Sequence, residues 1–154
     1  MESVVGAEDP GLDALRRHRA ELRGSMAALE QALAASAPGR SDAWAERVDV
    51  ALVELSADFG EHVVVTEGPG GLHGAVLATS PRLASSVGRL IGEHAEISRL
   101  VGDLLVRVRP PVAAGEVGVI RELGTALLGR LERHRERGAD LVYQAYHVDL
   151  GGET

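Results

Sequence analysis

One stretch of this 154-residue chain limits its fold more than any other. Leu83, Val87, Leu90, His94, Ile97, Val101, Leu104 and Val108 recur at alternating spacings of four and three. That spacing places all eight on one stripe of an α-helix, so the segment is an amphipathic helix with an imidazole where a core leucine belongs. A lone histidine in such a stripe is adequately explained as a buried ring with its nitrogens hydrogen-bonded. The same substitution, however, recurs in three further segments.

Helix signals divide the chain into four long segments. Asp9-Pro10 reads as an N-cap with proline at the first helical position, and Asp13 suits the positive end of the helix dipole. The first stripe is Leu15, His18, Leu22, Ser25 or Met26, Leu29 and Leu33, closed by the turn Ala37-Pro38-Gly39. Ser41 is the expected cap of the second helix, whose stripe is Trp44, Val48, Leu52, Leu55, Phe59, His62 and Thr66, followed by Glu67. Glu67-Gly-Pro-Gly-Gly71 stops it, because proline and clustered glycines favour a turn. Leu72 to Thr79, with His73, has room for a turn or two of helix. Ser80-Pro81 then opens the stretch described above, and Pro110-Pro111 closes it. The last helix starts near Gly115, with Ile120, Leu127, His134 and Leu141 at sevens and Gly124, Leu131, Gly138 and Ala145 beside them. No stretch alternates with a period of two. The pattern predicts a single all-α domain, an up-down-up-down four-helix bundle with its core between about residues 10 and 146.

Composition excludes several chemistries. The chain has no cysteine, so a disulfide framework or thiolate metal site is impossible and any metal must be held by nitrogen and oxygen. A formal charge of −7 with 3% aromatic residues opposes binding to phosphate backbones or stacking on bases, so no nucleic-acid partner is expected. No serine sits in a nucleophile-elbow context and no glycine-rich phosphate loop opens a helix after a strand. Residues 1–10 lack a positive region followed by an apolar run, and no apolar span reaches transmembrane length. A cytoplasmic protein with no membrane partner is the expectation.

In the expected topology the four stripe histidines, His18, His62, His94 and His134, gather toward one end of the bundle. Unpartnered buried imidazoles cost desolvation free energy and give less apolar contact than leucine, so one from each helix implies a shared ligand. Neutral imidazole is the commonest nitrogen ligand of iron, zinc, copper and nickel, and bundle cores assemble such centres. A satisfied polar layer without metal is the alternative. Among carboxylates, Glu67 ranks first as a further ligand, then Glu21, then Asp58 and Asp140, from their placement relative to the histidines. Arg137 is a candidate for holding an anionic ligand. His73 and His147 lie off the stripes and are expected to be peripheral and solvated.

The order and placement of the four histidines resemble the haemerythrin-like family, the HHE cation-binding domains, over roughly residues 12 to 146. That family carries a lone His on helix one, His-x-x-x-Glu on helix two, His-x-x-x-His on helix three and His-x-x-x-x-Asp on helix four. His18 matches the first, His62 in His62-Val-Val-Val-Thr-Glu67 the second, His94 the third and His134 in His134-Arg-Glu-Arg-Gly-Ala-Asp140 the fourth. Thr66, Ser98 and Ala139 stand where the family has Glu, His and Asp, with Glu67 and Asp140 each one place late. The resemblance implies two non-haem irons bridged by oxygen, with zinc as the alternative, held by His18, His62, Glu67, His94 and His134. It also implies a protein that binds, senses or reacts with dioxygen, peroxide or nitric oxide. Small residues at Ser98 and Gly138 suggest room for oxidation of a small organic substrate. Loss of the ions would instead leave a metal-free binding bundle, with Thr66, Glu67, Ser98, Arg137 and Tyr143 around a polar pocket.

Overall fold

The computed structural model describes residues 10–148. It contains four long helices, α1 (Pro10–Ala34), α2 (Ser41–Glu67), α4 (Ala84–Arg107) and α5 (Ala114–Tyr143), and a short α3 (Leu72–Thr79). A 3₁₀ turn (Pro81–Leu83) leads into α4 and a π turn (Gln144–Val148) follows α5. There is no strand among the described residues. Helix α1 packs on α2, α2 on α4, α4 on α5, and α5 back on α1. The architecture is therefore all-helical and compatible with a helical bundle. No helix among the described residues is long and apolar enough to cross a membrane.

The stripes read from the sequence are the buried faces. All eight stripe residues from Leu83 to Val108 are buried, as are Trp44, Val48, Leu52, Leu55, Phe59 and Thr66 on α2. Start signals hold less well. Arg40 and not Ser41 precedes the first turn of α2, without a side-chain cap, and Ser80 makes no cap bond to the turn that begins at Pro81. The end of α1 is held from another helix: Arg121 of α5 donates from Nε to the Leu33 carbonyl at 2.9 Å and from Nη2 to that of Ala35 at 2.7 Å. The guanidinium also lies 5.3 Å from the Trp44 ring centroid, a cation–π contact. Gly124 of α5 faces Leu33 of α1: an added Cβ would stand 2.5 Å from Leu33 Cδ1 and make that side chain shift.

The interior is two apolar clusters rather than one. The larger contains Leu22, Leu29, Leu52, Phe59, Ile97 and Leu131 among others. The smaller contains Val76, Leu83, Val87, Leu90, Leu141 and Ala145. On α4 the boundary falls between Leu90 and Ile97, at His94; on α5 it falls between Leu131 and Leu141, at His134. A histidine layer therefore divides the core, and α3 covers the smaller part.

Candidate metal centre

The layer is built on three helices. His62 of α2, His94 of α4 and His134 of α5 each present a ring nitrogen within 4.8 Å of the others. His62 Nε2 and His134 Nε2 are 3.2 Å apart. Two nitrogens bound to one tetrahedral ion at about 2.0–2.1 Å would stand about 3.3–3.4 Å apart, so this pair needs almost no movement to share one. His94 and His134 are each only 3% exposed. Beneath them lies Phe59, its ring centroid 5.6 Å from His62, 5.7 Å from His94 and 6.2 Å from His134. This apolar floor keeps bulk water from one side of the cluster.

Carboxylates fix the tautomers. His134 Nδ1 lies 2.8 Å from Glu93 Oε1, and His94 Nδ1 is bonded to Glu67 Oε2. An ionised carboxylate only accepts, so both imidazoles carry their proton on Nδ1 and offer an Nε2 lone pair. His94 Nε2 is buried and has no hydrogen-bond partner. With the His134 Nε2 lone pair free, the 3.2 Å contact is a hydrogen bond donated by His62. Glu93 is in turn held by Arg137 through its other oxygen. An imidazole whose outer nitrogen is locked onto a carboxylate is the usual partner of a metal ion, so the donor set fits a divalent cation.

Electrostatics favour neutral rings. Burial holds the His62 pKa down to about 3, with further lowering by His134 and His94. Burial also lowers His94 and His134, opposed in each case by the bonded carboxylate. Neutral imidazole is the form that binds a metal, so no ring need lose a charge at neutral pH; for His62 Nε2 to join the ion, its proton moves to Nδ1.

The remaining predicted residues separate. His18 lies apart from the three-histidine group, with its Nδ1 3.1 Å from Glu61 Oε2 and 3.7 Å from Glu21 Oε2; these three form a second, more exposed group with ligand atoms within 4.8 Å. Glu67 is turned onto the outer nitrogen of His94. Asp58 is taken up by Ser25 Oγ, and Asp140 by Gln144 Nε2 at 2.8 Å. Ser98 and Tyr143 are exposed, Arg137 is committed to Glu93, and Thr66 donates its hydroxyl to the His62 carbonyl at 2.8 Å. The His147 side chain lies outside the described residues.

His73 is not peripheral: it is 5% exposed, its ring lies parallel to His94 at 5.8 Å and 9°, and burial lowers its pKa. The glycine turn brings it there. Gly70 has φ +74, and a Cβ on Gly71 would meet the carbonyl oxygens of Val65, Gly68 and Thr66 at 2.7–2.8 Å. Such a tight reversal returns the chain to the histidine layer six residues after Glu67. Glu61 and Glu93, which sequence reasoning gave no role, share a legible signal. Each immediately precedes a stripe histidine, about 100° around the helix, and so flanks the stripe toward a neighbouring helix.

A cavity of about 120 Å³ adjoins the layer, lined by His18, His62, His73 and His134 together with Leu15, Leu22, Leu72, Leu90, Arg19 and Arg135. Comparison with protein-family models, with curated proteins and with solved structures finds no match for the chain.

Proposed function

We propose that the chain is a haemerythrin-like protein, with its four long helices running up-down-up-down, that holds non-haem iron and binds, senses or reacts with dioxygen, peroxide or nitric oxide. The observation supporting this reading is the convergence of His62, His94 and His134, two of them with Nδ1 held by a carboxylate and Nε2 turned inward. Three protein nitrogens leave coordination positions open, as exchange or reaction requires. The His18, Glu21 and Glu61 group is the place for a second ion. Iron is favoured over zinc by the resemblance, since imidazole suits both.

Bound iron would supply redox chemistry toward the small ligand. The chain's own residues supply the rest: Phe59 excludes water from below, and Glu67 and Glu93 orient the rings. The test is metal content by mass spectrometry on protein expressed with added iron, with a visible spectrum of the same sample. One to two irons per chain, lost in His94→Ala, is the expected result. Protein without transition metal, whose melting temperature is unmoved by iron, zinc or chelator, would refute the proposal.

A further inference from the structure

The cavity beside the histidine layer has more room than a diatomic ligand fills. Its volume of about 120 Å³ approaches that of cavities of about 150 Å³ that accept benzene, which leaves space for about five heavy atoms. Five of its fifteen lining residues are leucines, Leu15, Leu22, Leu72, Leu90 and Leu141. Gly138 also lines it, and a Cβ built there meets nothing within 4 Å. A hydrocarbon chain placed there would leave water for leucine surface.

Its polar side chains are Thr66 and the four histidines His18, His62, His73 and His134 along the layer, with Arg19 and Arg135. His73 lines it, and its buried Nδ1 has no hydrogen-bond partner. Arg19 of α1, an exposed side chain, and Arg135 of α5, a half-buried one, both line the same cavity from helices that pack on each other. Arg135 uses only Nη1, at 3.3 Å to both oxygens of Glu132, which leaves Nε and Nη2 to donate. Arg19 makes no ion pair among the described residues. Planar guanidinium groups match a carboxylate in shape and charge.

We infer that this cavity binds a short-chain organic monocarboxylate, with its hydrocarbon tail among the leucines beside the histidine layer and its carboxylate on Arg19 and Arg135. The lining residues carry this inference whether or not the histidines hold a metal. The size limit is about four carbons inside with the carboxylate at the arginines, so pentanoate is the matched probe.

The test is a pentanoate titration of the chelator-treated protein followed by amide chemical shifts, with pentan-1-ol as the uncharged comparison. Saturable shifts around Leu72 and Gly138 are expected, with a dissociation constant of about 1 mM or below. The double variant Arg19→Gln/Arg135→Gln should weaken pentanoate about tenfold and leave pentan-1-ol unchanged. Gly138→Leu, which fills the cavity at a helical position where leucine is favoured over glycine, should remove binding of both. The inference is overturned by the absence of saturable shifts, or by pentanoate binding that the arginine changes do not touch. It is overturned equally by binding that appears only with added metal and survives the arginine variant, since the carboxylate would then be on the ion. Protein without transition metal, whose melting temperature iron, zinc and chelator leave unmoved, would sink the metal proposal and leave this titration unaffected. Circular dichroism checks folding of each variant, and the arginine pair decides the question without Gly138→Leu.

Discussion

Removing the carboxylate from Glu93 is the sharpest probe of the histidine layer. Its Oε1 lies 2.8 Å from His134 Nδ1 and its side chain is 13% exposed, so the bond is largely shielded from water. Glu93→Gln keeps an acceptor of the same size but loses the charge, and a charge-assisted hydrogen bond is about twice as strong as a neutral one. The difference of about 1.4 kcal/mol predicts an approximately tenfold loss of metal affinity. Glu93→Ala removes the acceptor as well and should approach the upper end of the 10–100-fold range of such outer partners, about 2.7 kcal/mol. Glu67 is 27% exposed, so Glu67→Gln should cost less than Glu93→Gln. The assay is competition with a chromophoric chelator for zinc or ferrous iron at fixed pH, since ligand protonation enters every apparent affinity. His134→Ala sets the scale for loss of a ligand. If Glu93→Ala stays within about twofold of the parent while His134→Ala abolishes binding, tautomer locking does not govern affinity and the reasoning fails. If Glu67→Gln costs as much as His94→Ala, Glu67 itself binds the ion.

Metal-free protein should lose stability in acid. His62 is held to about 3 when folded against an ordinary value of 6.5, so below 6.5 the unfolded chain takes up more protons. The stabilising contribution is full above 6.5 and falls by about 1.4 kcal/mol per pH unit below about 6 from this group alone, with His73, His94 and His134 shifted in the same direction. Urea melts of the chelated protein across that range measure it, and a flat profile would refute it. Gly71→Ala should destabilise by about 2 kcal/mol or more, because its Cβ meets three carbonyl oxygens with no flexible side chain to yield. Thermal melts check this, and the variant should also shift the His73 ring resonances. Arg121→Ala leaves the Leu33 and Ala35 carbonyls without their donors and should cost about 1–3 kcal/mol, read from the urea midpoint at unchanged slope.

The all-helical architecture was legible because it rests on local periodicity. A leucine repeated at three and four residues buries one helix face whatever that face meets, and Leu83 to Val108 did so at every position. The break between α2 and α4 was equally plain in Glu67-Gly-Pro-Gly-Gly71, because backbone geometry there excludes side chains. Histidines on α2, α4 and α5 were legible as core positions for the same reason. Which of them converge was not, because depth along a bundle depends on how far each helix slides against its neighbours. His62, His94 and His134 meet, whereas His18 faces the same cavity beside Glu21 and Glu61. His73 was misread as solvated because an eight-residue helix after a turn has no stripe long enough to show which face is covered. Arg135 rather than Arg137 reaches the cavity, since α5 gives Arg137 to Glu93 across α4. The sequence alone determined which faces are buried and that imidazoles interrupt them. Tertiary structure decided which nitrogens share a centre, which carboxylates stand behind them and what space is left beside them, because those depend on the register between helices, which no single helix encodes.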